Sequence, residues 1–167
     1  NTGSMMGLLK KGNKVFLTKS ENIKRKLKFT LQIIEIGKTK IGVNTHLTNK
    51  IFFDAIINNN IDLFKNCKKI ERERKYGNDT RFDFYLEKNN SKYFIEVKNV
   101  TLSRKKGLAE FPDAPTLRGS KHIKKLSLAI NEGFKSYLVF VIQRNDCKNF
   151  NIARDIDPEY FELLTDA

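Results

Sequence analysis

The sequence has very little cysteine and no tryptophan, and these absences exclude several kinds of site. Its two cysteines, Cys67 and Cys147, lie far apart and have no partner spacing. This spacing excludes a zinc ribbon and a CxxC redox centre, predicts no disulfide, and is typical of proteins from a reducing compartment. Without tryptophan, a site that stacks on a sugar ring has little support.

Long apolar runs are also missing from the chain. No run approaches the roughly 20 residues that a membrane-spanning helix needs. No charged segment followed by an apolar segment precedes a cleavage site, as it would in a secretory leader. We therefore expect a cytoplasmic protein that has no membrane partner.

Positive charge, by contrast, is abundant. The chain has 32 lysines and arginines against 19 acidic residues, a net charge of +13. Such an excess favours a polyanionic partner, with nucleic acid ahead of an acidic membrane surface. Lysine-rich composition is also what an AT-rich genome encodes without selection for binding. The charge alone therefore indicates a partner class and no site.

Hydrophobic patterning predicts a layered α/β domain. The predicted segments, in chain order, are strands at 14–18 and 29–36, a helix capped by Thr48, a strand at 69–76, a hairpin, a loop at 105–115, a helix from Arg118 and a strand at 137–143. The last strand is almost continuously apolar, which predicts that both of its faces are covered. The order helix, three strands, helix, strand predicts a mixed sheet.

The stretch RFDFYLEKNNSKYFIEVKN, residues 81–99, predicts a β-hairpin with Asn89 and Asn90 as its two-residue turn. Counting outward from this turn places Asp83 directly opposite Glu96, with their Cβ atoms about 5 Å apart. Lys98 shares their face, since side chains alternate along a strand. The other face is predicted to carry Phe82, Phe84, Ile95 and Val97.

Two opposed carboxylates repel each other, by about 3 kcal/mol at an effective dielectric near ~20. Removing either charge is therefore expected to relieve strain in the metal-free protein. A divalent ion offsets the repulsion better than a lysine does, and two carboxylates with water are a common way of holding Mg²⁺. The pattern predicts a catalytic Mg²⁺ or Mn²⁺ site with Asp83 and Glu96 as ligands and Lys98 acting on phosphate or water. A salt-bridged sheet face, with Arg81 and Lys98 as the cations, is the alternative.

Two further residues are weaker candidates for this site. Glu73, on the preceding strand, can add a third carboxylate, or it can pair with the arginines beside it. Gln143 ends the apolar strand, where its amide can reach bound water or phosphate, or can simply face solvent.

Nucleic-acid contacts are predicted in two basic segments. The candidate residues are Lys24, Arg25 and Lys26 in one run, and Arg118, Lys121 and His122 in another. The first run precedes Phe29, and cations beside an aromatic ring are typical of single-strand grooves, although a solvated loop has the same composition. The second run starts a predicted helix, whose positive end favours phosphate. A surface or capping role for His122 is the alternative.

A resemblance to known proteins rests on these motifs. An aspartate on one strand and E-x-K on the next, in the order αβββαβ, resembles the PD-(D/E)XK nuclease superfamily. More specifically, the chain resembles the sugar fermentation stimulation protein A family. The matching stretches are NTGSM, ERKYGNDTRFDFYL, FIEVKNVTL, FPDAPTLRGSKHI, VFVIQR and IDPEY. They are spread over nearly the whole chain.

The resemblance implies a DNA-binding protein linked to the regulation of sugar metabolism. It implies an OB-like segment at 1–43, of which the first strands are missing, and a nuclease-like domain at 44–167 that is shortened at its end. It also gives Asp83, Glu96 and Lys98 the nuclease motif positions. Largely sequence-independent DNA binding is expected for both functions left open, a Mg²⁺- or Mn²⁺-dependent phosphodiesterase and a non-catalytic DNA-binding regulator.

Overall fold

A computed structural model describes residues 3–167, which form three sheets and three α-helices. The strands are β1 (Lys14–Lys19), β2 (Phe29–Ile36), β3 (Thr39–Gly42), β4 (Lys69–Tyr76), β5 (Thr80–Lys88), β6 (Ser91–Val100), β7 (Leu102–Lys105), β8 (Leu108–Phe111), β9 (Lys135–Ile142) and β10 (Asn149–Ile152). The helices are α1 (Thr45–Ile57), α2 (Leu117–Asn131) and α3 (Pro158–Asp166), with a 3-10 turn at Asp62–Phe64. The mixed α/β fold class predicted from the sequence is confirmed.

Strand pairing separates an N-terminal sheet from two later sheets. The first sheet is antiparallel, in the order β1-β2-β3. The central sheet has the order β4-β5-β6-β9 and is antiparallel except for the parallel pair β6 and β9. The third has the order β10-β8-β7, with β8 and β10 parallel. The hairpin of β5 and β6 therefore occupies the middle of the largest sheet.

The central sheet carries one helix on each face. On one face α1 buries Phe52 against Phe84, with ring centroids 5.2 Å apart. On the other face α2 buries Leu126 in a cluster with Phe94. Burying a side chain of this size contributes about 1.5–3 kcal/mol. The prediction that both helices pack on the same sheet is confirmed, and together they hold the hairpin in place.

The start of each helix is fixed by a side-chain cap. The caps are Asn44 for α1, Thr116 for α2 and Asp157 for α3, each of which accepts a hydrogen bond from a backbone N–H of the first turn. The predicted cap Thr48 is wrong, because α1 begins one turn earlier. Thr48 is instead buried, and its hydroxyl accepts a hydrogen bond from Gln143.

One further prediction about elements is wrong, and another is confirmed in part. Residues 105–115, predicted as a loop, contain the four-residue strand β8, in which Ala109 and Glu110 are buried. Strand β9 was predicted to be covered on both faces, and its side chains do pack on both, with Val139 in the α1 cluster and Leu138 in the α2 cluster. Most of them are only half-buried, because β6 lies on one side of β9 and, within residues 3–167, no strand pairs with the other side.

The N-terminal sheet is joined to the later part of the chain by backbone contacts. The N–H of Gly42 donates to the carbonyl of Gln143 at 2.8 Å. Glycine suits this approach, because a Cβ at position 42 would lie 2.6 Å from Oε1 of Gln143 and would displace that side chain. Before β1, the N–H of Met5 donates to Oδ2 of Asp113 at 2.8 Å. Met5 is thus bound to the loop that precedes α2.

Two findings relate to the predictions about membrane helices and cysteines. None of the helices within residues 3–167 combines the length and apolar character that crossing a membrane requires. Cys67 and Cys147 are free and half-buried. Burial raises the pKa of the Cys67 thiol, and the protonated thiol is the less reactive form.

Candidate functional site

The register of the hairpin is the one that its turn dictates. Asn89 and Asn90 both adopt left-handed backbone angles, with φ of 49° and 61°, as a two-residue turn of this type requires. Regular pairing then runs from Lys88 with Ser91 to Phe84 with Ile95. The predicted register is confirmed over these pairs. The ladder ends one position before Asp83 would meet Glu96.

At this position the Asp83 side chain replaces the backbone ladder. Its Oδ2 accepts a hydrogen bond from the N–H of Val97 at 2.8 Å, and its Oδ1 accepts one from the Asn49 amide of α1 at 2.7 Å. The carboxylate is thus held by two neutral donors from two elements, and it is presented where β5 and β6 separate.

The same irregularity reverses the direction of one predicted core side chain. Phe84, Ile95 and Val97 lie on the α1 face, as predicted. Phe82 was predicted to join them, which is wrong, since it packs with Phe94 on the α2 face. The alternation of faces is interrupted between Phe82 and Phe84, where the Asp83 side chain bonds the neighbouring strand.

Glu96 is 4 % exposed, and the groups that bond its carboxylate differ from those that hold Asp83. Its Oε1 accepts hydrogen bonds from Lys98 Nζ at 2.7 Å and from Nδ1 of His122 on α2. Its other oxygen, Oε2, is buried and has no hydrogen-bond partner among residues 3–167. Oε1 of this carboxylate therefore accepts two hydrogen bonds, whereas Oε2 accepts none from the described residues.

The pKa values of the two carboxylates are shifted in opposite directions. Burial raises the pKa of Asp83, and the negative charge of Glu96 raises it further. Burial opposes ionisation of Glu96 too, but the hydrogen bond from His122 and the charge of Lys98 outweigh it and lower the pKa of Glu96. The expected repulsion thus acts on Asp83. The structure changes the expectation for Glu96, whose anion is stabilised, so that removing its charge should not relieve strain.

All three motif side chains open into one cavity of about 530 Å³. The loop before α2 and residues 3–4 complete its wall, and the lining includes Gly3, Ser4, Asp113, Thr116 and Arg118. A larger surface cavity, of about 810 Å³, lies beside Arg104, Glu110 and Asp155. Because those three groups are paired with one another, the smaller cavity is the better candidate site.

The donor atoms in this cavity fit a hydrated divalent ion. Within residues 3–167 there is no cluster of three or more His, Cys, Asp or Glu side chains that could hold a metal. Mg²⁺, however, is usually held by one or two carboxylates and keeps several waters. Asp83 and Glu96 supply that number, and the free Oε2 of Glu96 is an unused acceptor. The residues fit a water-rich site and do not form an all-protein cage.

Comparison with known proteins assigns both parts of the chain to one protein family. A family model described as "Sugar fermentation stimulation protein RE domain" matches residues 46–167, and one described as "SfsA N-terminal OB domain" matches residues 1–43. The chain belongs to the sugar fermentation stimulation protein family. The resemblance to this family, found in the sequence motifs, is thereby confirmed.

Individual family members are similar over most of their length. The sugar fermentation stimulation protein homolog of Pelagibacter ubique is 53 % identical over 162 residues, which are 97 % of this chain and 70 % of that protein. The Brucella anthropi homolog is 44 % identical, over 96 % of this chain and 69 % of that protein. The structure of Pyrococcus furiosus SfsA in complex with Ca²⁺ matches 100 % of this chain and 71 % of that chain, with 28 % identity and a TM-score of 0.91.

The three residues of α2 that were predicted to bind nucleic acid have different surroundings. Arg118 is exposed and lines the cavity. Lys121 is exposed, but its Nζ pairs with Asp79 at 2.9 Å. His122 is only 5 % exposed and bonds Glu96. The structure thus brings His122 into the site as a partner of a carboxylate, and buries it where a nucleic acid cannot reach it.

The other basic segment lies in the loop between β1 and β2. Lys24, Arg25 and Lys26 are all exposed, and Arg25 donates to the Thr30 hydroxyl at 2.7 Å. Phe29, at the start of β2, is 55 % exposed. The combination of cations and an exposed ring is present as predicted, and its binding role stays a prediction.

The two weaker candidates do not join the carboxylate pair. Glu73 is exposed, has a left-handed φ of 53°, and lines a surface cavity formed by residues 71–75. The Nε2 of Gln143 donates to Thr48 at 2.9 Å and to Asn99 at 2.6 Å. Gln143 therefore ties α1 to the central sheet, and its donor is already occupied.

Sequence reasoning missed two residues of the site. Asn49 holds Asp83, and Asp113 accepts the hydrogen bond from the N–H of Met5. The FPDAP stretch that contains Asp113 was recognised as part of a family motif. The proximity of both residues to the hairpin arises from long-range packing, which local patterning does not reveal.

Proposed function

We propose that this chain binds DNA and hydrolyses its phosphodiester bonds with Mg²⁺ or Mn²⁺ at the site of Asp83, Glu96 and Lys98. The observation that carries this proposal is a pair of carboxylates in one cavity, the half-buried Asp83 and the buried Glu96, with one oxygen of Glu96 unpartnered among the described residues. Such a pair repels phosphate. A protein that only bound nucleic acid would gain nothing from it, whereas a metal-dependent phosphodiesterase needs it.

The two carboxylates are the residues that would hold the ion. When bound, a divalent ion polarises a phosphate and lowers the pKa of its own water. Asn49 and the Val97 N–H keep the Asp83 carboxylate in a fixed orientation. The Pyrococcus furiosus relative was solved in complex with Ca²⁺, which supports a site for hard cations in this family.

Lys98 is the group placed to act on the substrate. Its side chain is 13 % exposed, and its Nζ lies 2.7 Å from Oε1 of Glu96 at the cavity. From this position the ammonium group can donate to a phosphate oxygen or orient an attacking water. A preorganised donor of this kind stabilises the charge that develops in the transition state.

DNA is the proposed partner because of charge and of the N-terminal segment. The net charge is +13, and OB folds commonly bind oligonucleotides. Residues 24–26 are exposed in the loop between β1 and β2, and Arg118 is exposed at the cavity. Contacts to phosphates carry no sequence information, so we propose largely sequence-independent binding. The cytoplasmic location stays a prediction from the sequence.

A cleavage assay tests the catalytic part of this proposal. Supercoiled, linear duplex and single-stranded DNA would each be incubated with Mg²⁺, with Mn²⁺ and with a chelator. We expect cleavage of at least one form with metal, none with chelator, and none by Glu96→Gln. Lys92→Ala, a change of an exposed lysine on the same strand, is the matched control and should cleave like the parent. Cleavage that persists with chelator would contradict the proposal.

The salt dependence of binding tests the basic loop. Replacing Lys24, Arg25 and Lys26 by alanine should weaken DNA binding and reduce the slope of log K against log salt by about 0.7–0.9 for each lost phosphate contact. Fluorescence anisotropy over a salt series measures both. Alanine at Lys50, Lys68 and Lys148, which are exposed elsewhere, changes the net charge equally. If both triple variants behave alike, the loop is only a solvated turn.

The second candidate function is a non-catalytic DNA-binding regulator linked to sugar metabolism. It is favoured by the way Lys98 and His122 both bond the same oxygen of Glu96, as they would in a purely structural ion pair. This function predicts DNA binding without cleavage of any DNA form, at any divalent metal concentration. The same assay therefore separates the two functions.

A further inference from the structure

Two donors of different kinds bond the same oxygen of Glu96. Oε1 accepts hydrogen bonds from Lys98 Nζ at 2.7 Å and from Nδ1 of His122. Burial opposes ionisation of Glu96, yet the hydrogen bond from His122 and the charge of Lys98 lower its pKa, so the carboxylate is ionised at neutral pH. An ionised carboxylate only accepts hydrogen bonds. The Nδ1 atom of the ring therefore carries a proton and donates it.

The imidazole ring of His122 is firmly held. His122 lies in the second turn of α2 and is 5 % exposed. Its ring meets that of Phe82 edge-on, with the centroids 6.3 Å apart. Ser120 and Ile123, on either side of it in α2, are buried as well. The ring therefore keeps its bond to Glu96 for as long as α2 stays packed on the central sheet.

The ammonium group of Lys98 is held less firmly. Its side chain lines the cavity and is more exposed than that of His122, at 13 % against 7 %. A lysine has a flexible four-carbon stem and donors that rotate. The group that is placed to act on a phosphate in the cavity is therefore also the group that can turn away from Glu96.

Turning Lys98 towards a phosphate would leave Glu96 without a donor if no other group bonded it. Glu96 is buried, and its Oε2 has no hydrogen-bond partner among residues 3–167. Leaving a buried charge unpaired is strongly unfavourable. The bond from His122 to Oε1 avoids this cost, because it persists when Lys98 moves.

We propose that His122 is a positioning residue of the site, which keeps the Glu96 carboxylate in place and so leaves Lys98 free to turn to a phosphate. With Oε1 held by the ring, Oε2 remains the unused acceptor for the ion. This role of the ring towards metal and phosphate rests on the proposed function. Loss of a group that orients a metal ligand typically weakens metal binding by about 10–100-fold.

The test compares two replacements of His122 in the full chain. His122→Asn keeps an N–H donor at the position of Nδ1, since both nitrogens are bonded to Cγ, whereas His122→Leu keeps apolar volume and removes the donor. Mn²⁺ affinity is measured by isothermal titration calorimetry. We expect about 10-fold weaker binding for His122→Leu and near-parental binding for His122→Asn. Lys98→Ala should also bind Mn²⁺ like the parent, because the ring remains.

Two further measurements separate positioning from packing. Leu126 lies one turn after His122 and is buried in the cluster with Phe94, so Leu126→Ala should lower the melting temperature and keep parental Mn²⁺ affinity. Nitrogen NMR of the metal-free parent should show a proton on Nδ1 of His122. The signal is assigned by its loss in His122→Asn, which retains His46, the other of the two histidines.

The inference is overturned if Nδ1 carries no proton, or if His122→Leu binds Mn²⁺ as tightly as the parent. It is equally overturned if His122→Asn, Leu126→Ala or Lys98→Ala binds as weakly as His122→Leu. All of these results leave the proposed function standing. A parent that binds no Mn²⁺ overturns the proposed function, and the positioning role of His122 with it.

Discussion

Two clusters in this molecule each contain two carboxylates and one Lys or Arg cation. They differ in how many of the carboxylates the cation bonds. In the first, Arg104 donates to both Glu110 and Asp155. In the second, Lys98 donates to Glu96 alone, and Asp83 is held by neutral donors. The planar guanidinium group can serve two carboxylates at once, whereas the ammonium group is a point charge.

The pKa values separate the two clusters in the same way. Hydrogen bonds from Arg104 hold the pKa values of both Glu110 and Asp155 below their ordinary range. In the Lys98 cluster only Glu96 is lowered, while burial and the charge of Glu96 raise the pKa of Asp83. A cluster whose groups are all satisfied stabilises the fold. A cluster with a strained carboxylate and a free buried oxygen is the better candidate for binding and catalysis.

The largest expected effect is the loss of cleavage on replacing Lys98. Lys98→Ala should reduce the rate of DNA cleavage about 100-fold or more, because a preorganised donor to the transition state is lost. Its Mn²⁺ binding should persist, since the two carboxylates remain. Cleavage rates and calorimetric Mn²⁺ titrations check both parts. Arg104→Ala should instead lower the melting temperature and leave both the cleavage rate and Mn²⁺ binding close to those of the parent. Equal effects of the two changes would remove the distinction between the clusters.

The next effect is thermal stabilisation by metal. At a Mn²⁺ concentration of ~100 times Kd, the parent should gain about 2.7 kcal/mol of folding stability, and Asp83→Asn should lose this gain because one of two ligands is gone. Differential scanning calorimetry with and without millimolar Mn²⁺ measures it. Glu110→Gln is the matched control and should retain the gain. A parent whose melting temperature ignores Mn²⁺ would contradict the metal site.

The smallest expected effect is a difference in pH dependence, measured with chelator present. The pKa of folded Asp83 lies above its ordinary value of 3.8, so its contribution to stability is present below 3.8 and is lost as pH rises through the raised value. Asp83→Asn should therefore gain on the parent as pH rises from about 3.

The opposite sign is expected for the paired cluster. The pKa of Glu110 is lowered, so its contribution is present above the ordinary value of 4.5 and is lost as pH falls through the lowered value. Glu110→Gln should fall further behind the parent as pH rises through this window. Melting curves from pH 3 to 7 compare the two variants, and slopes of the same sign would mean that both clusters serve the fold.

Much of the fold follows from local sequence signals. The strands at 29–36 and 69–76 were predicted with the bounds that the structure has, because long apolar or alternating runs are unambiguous. The Asn89–Asn90 turn fixed the hairpin register. The four-residue strands β3, β7, β8 and β10 are too short to produce a periodic pattern. The exposed edge of β9 depends on the order of strands in the sheet, which local sequence does not reveal.

The site was predictable in residue type and less so in geometry. Asp83, Glu96 and Lys98 follow from the hairpin register and do meet in one cavity. The bond from the Val97 N–H to Asp83 replaces ladder pairing, and no alternation rule anticipates that. His122 meets Glu96 across 26 residues through the packing of α2 on the sheet, so its burial could not be inferred from its place in a basic segment.

The bond between Met5 and Asp113 joins positions 108 residues apart, and Gly3 and Ser4 stand in the wall of the cavity. The enclosure is thus composite, built partly from the region that the OB-domain model matches. A shortened chain beginning at residue 44 would retain every motif side chain and lose that part of the wall. The cavity beside its carboxylates would be more open to bulk water on that side, where attraction between an ion and its ligands is weaker. Dividing the protein at its family boundary would therefore remove part of the wall around the two carboxylates.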